Sequence, residues 1–415
     1  MNMIILYITN PNSTKLIYSF QKWREKTEFI IVNDQHDPFF PDTKTYTLNE
    51  LNCNMISGKT IALIDDEPDI KEKLKSVPGA TDLIFISRRQ WIISMLEDKN
   101  AYLEPKEIRL DICTRCQLKC VSCYMRNDKR ETTGFGHVSP EQFEEFLKQN
   151  SSIQRIEISN SGEPFLHPQM HEILTIAHNH QVTLTCYNGA NFNTVSDQIL
   201  NDLVDYGFES ITVALDGVSQ QSYQVYRRNG DFDRVISNIK KLNMIKQMKH
   251  SEYPKLIWQF VIMSHNYDEI PIAAQMAKDL GMKISYRDTW SPVERAKLKQ
   301  LLSERQEAKP SDNISAKDSI VNNNRNSYES YCRELLISPQ INWDGRLLGC
   351  CQIYRSDWGI NVFKSSLKDV LNGKIYRETL LALLRGDQLP FEHVPCYTCK
   401  RRPKDIFEAE RIVEI

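Results

Sequence analysis

The chain has 415 residues, 41% of them hydrophobic, which is more than one ordinary core holds; two or three domains are expected, and none needs a disulfide staple. Its 52 lysines and arginines nearly balance 54 aspartates and glutamates, so overall charge speaks against nucleic acid or an anionic membrane as a partner. No eighteen apolar residues run together, and Met1 to Thr9 carries neither a basic leader nor a small-residue cleavage site after it, features that predict a soluble, cytoplasmic protein.

Residues 1–103 alternate short β-rich runs (Met3 to Ile8, Glu28 to Val32, Lys59 to Ile64, Asp82 to Ile86) with amphipathic stretches at Lys15 to Trp23 and Gln90 to Leu96. That pattern predicts a small α/β, Rossmann-like domain that serves as a scaffold or as a recognition unit. Asp65-Asp66-Glu67 after a strand suggests an acidic receiver-like pocket, but its companion lysine and phosphoacceptor have no place in the sequence, and a solvated loop is the better reading.

A more regular alternation fills residues 104–300. Apolar runs at Ile108 to Ile112, Ile153 to Ile158, Val182 to Cys186, Ile211 to Leu215, Leu256 to Met263 and Met282 to Tyr286 are separated by helical patterns. Six such repeats predict a partial (β/α)6 barrel of the TIM type. One helix start is explicit: Ser139 as N-cap, Pro140 in the first turn and Gln142 as the capping-box partner, with Phe143, Phe146 and Leu147 on one face. Residues 301–327 turn polar and lose periodicity, as a linker does. A third domain is expected over 328–415, with a hairpin around Asp344-Gly345, a helical stretch from Leu367 to Leu384 and a basic, cysteine-bearing tail. No internal repeat of solenoid period is present.

Eleven cysteines is an odd count, and seven fall into two closely spaced groups, which in a cytoplasmic chain points to metal before disulfides. Cys116, Cys120 and Cys123 form C-x3-C-x2-C. Three thiolates this close hold three irons of a cubane and leave the fourth open to a chelating ligand. Zinc is the competing reading, because Cys113 adds a fourth cysteine within eleven residues. Against it, zinc knuckles separate their cysteine pairs by a longer loop, and this group sits where the first barrel strand ends. Cys113 is then a strand-end residue, and Cys53 and Cys186 read as small core residues.

A barrel builds its site at the C-terminal edge of its strands. After the second strand comes Asn160-Ser161-Gly162-Glu163-Pro164, after the third Tyr187-Asn188-Gly189, and after the fourth Asp216-Gly217, with Tyr223, Arg227 and Phe232 beyond. Each alone is commonly only a turn. Together, in this order, they resemble the radical S-adenosylmethionine (radical SAM) family. The resemblance implies a [4Fe-4S] cluster on Cys116, Cys120 and Cys123 and S-adenosylmethionine on its open iron. It further implies Gly162, Glu163 and Pro164 for the methionine amino group, Asn188 and Asp216 on the ribose side, and Arg227 for the carboxylate. Two positions depart from the family pattern. The aromatic residue before the third cysteine is Ser122, for which Tyr124 is the substitute toward adenine, and the glycine before Gly162 is Ser161.

Cys332, Cys350, Cys396 and Cys399 resemble the twitch subtype of the SPASM auxiliary-cluster domain, in a pattern most like that of the 2-deoxy-scyllo-inosamine dehydrogenases. Here too zinc stays open. Cys350 is preferred over its neighbour Cys351 on the spacing from Gly345. Four thiolates leave no open iron, so the resemblance implies a second [4Fe-4S] cluster that passes electrons.

The resemblance covers residues 106–410 and implies reductive cleavage of S-adenosylmethionine, a 5'-deoxyadenosyl radical, and hydrogen abstraction from the substrate. It also implies a reducing donor such as flavodoxin or ferredoxin. Three readings follow. In the first, a small-molecule alcohol, a sugar or aminocyclitol, is oxidised by two electrons, with Arg287 at the end of the sixth strand as base or charge partner. In the second, the substrate is a ribosomally made peptide; residues 1–103 read as βαβ units and not as the winged helix that such maturases often carry. The third is a non-catalytic zinc-binding module.

Overall fold

A computed structural model describes residues 4–8, 11–20, 23, 27–32, 44–64, 70–123, 133–289, 291–305, 329–350 and 356–399. The chain divides into two compact units, Met1–Glu107 with Tyr328–Pro339 and Ser365–Ile415, and Ile108–Ser327 with Gln340–Lys364. Residues 328–415, expected as one domain, thus contribute to both.

In the first unit, strands β1 (Ile4–Ile8), β2 (Thr27–Val32), β3 (Thr45–Thr47), β4 (Thr60–Leu63) and β5 (Ile84–Ser87) form a parallel sheet of order β3-β2-β1-β4-β5. The order reverses between β1 and β4, as in doubly wound folds. Its central strands read as continuous apolar runs because both faces are covered. Ile5, Ile31, Ile61 and Leu74 are buried in one cluster. Helices α1 (Pro11–Tyr18), α2 (Cys53–Ile56), α3 (Ile70–Lys75) and α4 (Arg88–Glu97) complete the alternation, and α4 starts at a Ser87/Gln90 capping box. Strand β3 carries too short a pattern to be read in advance. Cys53, expected in the core, is instead only half-buried on the short α2.

Helices Glu329–Ile337, Leu367–Asn372 and Lys374–Arg385 belong to the same unit. The helical stretch expected over Leu367 to Leu384 breaks at Gly373, which leaves helical geometry at φ −67°, ψ 158°. Arg377 then donates to the carbonyls of Leu96 (2.7 Å), Asp98 (2.7 Å) and Ala101 (3.0 Å) at the C-terminal end of α4, where carbonyls lack helical partners.

In the second unit, strands β6 (Glu107–Leu110), β7 (Arg155–Glu157), β8 (Thr183–Ala190), β9 (Ser210–Ala214), β10 (Lys255–Ile262) and β11 (Lys283–Asp288) lie in sequence order within one sheet. Strands β7 to β11 pair in parallel. Between and after them run α5 (Pro140–Gln149), α6 (Met170–Asn179), α7 (Asp197–Asp205), α8 (Gln220–Tyr226), α9 (Phe232–Met248), α10 (Ile270–Asp279) and α11 (Pro292–Arg305). The expected Ser139/Gln142 capping box starts α5, and Phe143, Phe146 and Leu147 are buried. All six expected apolar runs are strands of this sheet. It is an α/β fold with parallel strands, consistent with a partial barrel.

Two further strands extend the sheet past β6. β12 (Gln340–Ile341) pairs in parallel with β6, and β13 (Leu347–Gly349) pairs antiparallel with β12. The turn at Asp344-Gly345 needs its glycine twice over: φ is +84°, and a Cβ would lie 2.4 Å from Asn361 Oδ1. Among the described residues no helix is long and apolar enough to cross a membrane.

Candidate functional site

The stretch that leaves β6 carries Cys113, Cys116, Cys120 and Cys123. Cys113 is fully buried and bridges to His137, as a strand-end residue does. The next ten residues are pinned by backbone bonds: Lys119 N donates to Arg228 O (2.9 Å), Val121 N to Tyr226 O (3.2 Å) and Cys123 N to Cys120 O (3.3 Å). Cys120 is buried, while Cys116 and Cys123 are half-buried.

Gly162 passes directly over this stretch. Its φ is +80°, and a Cβ there would sit 2.4 Å from Cys113 O and 2.6 Å from Thr114 Cα, so only glycine fits. Ser161 is not among the described residues with positive φ, which explains why serine serves where the family pattern has glycine. Its amide donates to Asp111 Oδ1 (2.8 Å), and Gln340 Nε2 on β12 donates to Asp111 Oδ2 (2.7 Å). Burial pushes the Asp111 carboxyl up to about 7 against these two bonds and a third from the Ser161 side chain.

Glu163 is buried beside the cysteines. Its amide donates to Arg115 O (2.8 Å), and its Oε2 accepts from Asn191 N (2.6 Å). Its Oε1 is buried with no hydrogen-bond partner among the described residues. Burial raises this carboxyl to about 7, opposed by the amides of Asn191, Phe165 and Phe192. Pro164 opens a single 3-10 turn, Pro164–Leu166. A buried acceptor left open in this way costs free energy unless a donor arrives, which suits an ammonium group.

Asn188, near the end of β8, has its amide on Ser159 Oγ (3.2 Å) and donates through Nδ2 to Asn160 Oδ1 (3.3 Å). Behind it, Glu157 is fully buried and accepts from Tyr187 N at 2.7 Å. Asp216 is also fully buried: Oδ1 accepts from Val261 N (2.8 Å) and Oδ2 from Arg227 Nε (2.5 Å). Arg227 Nη1 reaches Cys120 Sγ at 3.6 Å. Cys116 and Glu163 are therefore joined through Asn191, and Cys120, Arg227 and Asp216 by direct contacts. Asn191 was missed by sequence reasoning, although its Nδ2 lies 3.7 Å from Cys116 Sγ. Its only sequence sign is its position just after the Asn188-Gly189 turn.

Residues 110–247 match the model of the Radical SAM superfamily. These residues form a radical SAM domain. Over 183 residues, 43% of this chain, the sequence is 25% identical to a probable GTP 3',8-cyclase of Methanocaldococcus jannaschii, 57% of which is covered. Over 192 residues, 44% of this chain, it is 27% identical to the antilisterial bacteriocin subtilosin biosynthesis protein AlbA of Bacillus subtilis, 39% of which is covered. The chain spans about half the length of the curated relatives it matches. The fold resembles that of Streptococcus suis SuiB bound to S-adenosylmethionine, with a TM-score of 0.51 and 15% identity over 81% of this chain and 77% of that one.

A radical SAM domain implies a [4Fe-4S] cluster and S-adenosylmethionine, and the residues present fit both. Burial, with the Glu163 carboxylate and the neighbouring Cys120 and Cys123, pushes the Cys116 thiol up to about 12. Such a sulfur becomes a thiolate only beside strong positive charge, which iron supplies. Among the described residues no three His, Cys, Asp or Glu side chains converge as they do around a single ion. Cubane thiolates bind different irons and need no such convergence.

The remaining predicted residues lie elsewhere or outside the described residues. Arg287 stands on β11 in register with Val261 of β10. Cys350 follows β13 in the second unit and is buried. In the first unit Cys396 is buried and Cys399 half-buried, with Cys399 N donating to Cys396 O (3.3 Å). The Cys332 side chain, Cys351, Tyr124 and Asp65-Asp66-Glu67 fall outside the described residues.

Proposed function

We propose that this chain reductively cleaves S-adenosylmethionine at a [4Fe-4S] cluster on Cys116, Cys120 and Cys123 and oxidises a small polar alcohol, a sugar or aminocyclitol, by two electrons. The observation that carries the reading is the joint: one pinned loop brings the cysteines against Glu163 on one side and Arg227 on the other. Bound there, the cluster and S-adenosylmethionine supply the 5'-deoxyadenosyl radical. Gly162, Glu163 and Pro164 hold the methionine amino group, with Glu163 Oε1 as its acceptor. Asn188 and Asp216 serve the ribose side. Arg227 keeps Asp216 on Nε and Cys120 on Nη1, which leaves Nη2 for the methionine carboxylate.

The preference for a polar alcohol rests on the resemblance carried by the spacing of Cys332, Cys350, Cys396 and Cys399. Two-electron oxidation of the alcohol would require the hydroxyl proton to leave, with Arg287 as base or charge partner, and the second electron to pass to an oxidant. That oxidant would be a second [4Fe-4S] cluster held by Cys332, Cys350, Cys396 and Cys399, a role argued from their sequence spacing alone. A twitch domain around those cysteines and a reducing donor such as flavodoxin or ferredoxin belong to the same proposal.

A peptide substrate is the second reading, favoured by the likeness to AlbA, named for bacteriocin biosynthesis. Among its described residues the first unit is a five-stranded parallel sheet and not a winged helix, which favours the small molecule. The test is anaerobic iron loading, reduction with dithionite and assay for 5'-deoxyadenosine, followed by a panel of aminocyclitols and sugars deuterated at the carbinol carbon. Deuterium in 5'-deoxyadenosine together with a ketone product supports the reading. Zinc in place of iron, with no 5'-deoxyadenosine, rejects it, and deuterium transfer from a peptide alone replaces its substrate.

A further inference from the structure

We propose that Asn191 raises the reduction potential of the cluster on Cys116, Cys120 and Cys123 by donating an N–H to the Cys116 sulfur. The inference rests on the cluster assignment above and concerns a residue that the motif reading did not include.

Asn191 is buried at the start of the loop that leaves β8. The orientation of its side-chain amide follows from its neighbours. Asn193 N, which can only donate, lies 3.0 Å from Asn191 Oδ1, so that atom is the oxygen. Gln117 Nε2 donates to the same oxygen at 2.8 Å, and Asn191 Nδ2 donates back to Gln117 Oε1 at 3.2 Å. With the oxygen committed, Nδ2 faces Cys116 Sγ at 3.7 Å. Gln117 is Cys116's own chain neighbour, so the amide pair moves with the ligand it serves.

An electron added to a cluster spreads onto its sulfur ligands. A fixed N–H dipole pointing at one of them stabilises the reduced state more than the oxidised state. The low dielectric around a buried amide strengthens the effect. The backbone N of Asn191 also holds Glu163 Oε2 at 2.6 Å, and no side-chain substitution removes that bond. Asn191 thus acts as a positioning residue whose side chain has a separable, electrostatic role.

The test is a reductive titration of the full-length, iron-loaded chain, followed by electron paramagnetic resonance without S-adenosylmethionine. The relevant cluster is the one whose signal changes when S-adenosylmethionine is then added. Asn191→Leu removes the donor at similar volume, and Asn191→Asp replaces it with an acceptor of like shape. Both midpoints are expected to shift negative, with the larger shift for Asn191→Asp. Full iron content with a midpoint equal to that of the unaltered chain in both variants overturns the proposal. Should either variant lose its cluster, the unaltered chain with 15N in asparagine only decides the matter. A 15N modulation in the spin echo of the reduced cluster supports the proposal, and its absence overturns it. If the unaltered chain gathers no cluster on these cysteines, the cluster assignment itself fails and the inference with it.

Discussion

Replacing Gly162 by alanine tests the contact that joins the cysteine-bearing loop to the Gly-Glu-Pro turn. The added Cβ would sit 2.4 Å from Cys113 O and 2.6 Å from both Thr114 C and Thr114 Cα, all backbone atoms that cannot rotate away. The φ of +80° adds about 1–2 kcal/mol for an L-residue, and overpacking of a tight contact adds about 1–3 kcal/mol. The sum, roughly 2–5 kcal/mol, is a large part of a typical total of about 5–15 kcal/mol, so the chain stays folded but the two backbones separate. For a unit of this size that corresponds to a fall in melting temperature of roughly 4–20 °C. The separation starts two residues before Cys116, so iron retention and binding of S-adenosylmethionine fall together. The assay is a melt of the anaerobic protein with iron counted per chain. Ser161→Gly serves as control, because Ser161 needs no positive φ and its amide remains on Asp111, with only the serine side-chain bond to Asp111 lost. A Gly162→Ala protein with unaltered melting, iron content and cofactor binding would refute the reasoning.

Further outcomes follow from the same geometry. Asp111 ionises near its ordinary value of 3.8 in the unfolded chain and only near 7 when folded. The folded state therefore binds more protons between those values, and its contribution to stability is lost as pH rises through that window. Asp111→Asn is expected to flatten the pH dependence of urea unfolding of metal-free protein between pH 4 and about 7. Gln340 can turn its amide to accept the new donor, since Gln340 Oε1 is buried without a partner among the described residues; an unchanged slope counts against this. Cys120→Ala is expected to abolish 5'-deoxyadenosine formation, whereas Cys113→Ala keeps it at a modest stability cost. Equal loss in both points back to a four-cysteine zinc site. Arg287→Ala is expected to keep its iron and lose ketone product, and full turnover in that variant removes Arg287 from the site.

The strands and helices were legible because their signals are short-range. Two-residue alternation and continuous apolar runs marked β6 to β11, Ser139 and Gln142 marked the start of α5, and Asp344-Gly345 marked the hairpin turn. Missed features had weak or interrupted signals. β3 is three residues long, and Gly373 divides a helical pattern whose apolar spacing runs on without a break.

The cysteine spacing and the Gly-Glu-Pro, Asn-Gly and Asp-Gly turns were sufficient by themselves to point to the superfamily whose model matches residues 110–247, because each of these signals is short-range in the chain. What the residues do to one another was settled only by the folded sheet. Gln340 on Asp111, Asn191 on Cys116 and Arg227 on both Asp216 and Cys120 join residues from 11 to 229 positions apart. Periodicity tells which face of a strand a side chain takes. The register of distant strands and the paths of the loops between them decide what it meets there, and those depend on the packing of the sheet as a whole.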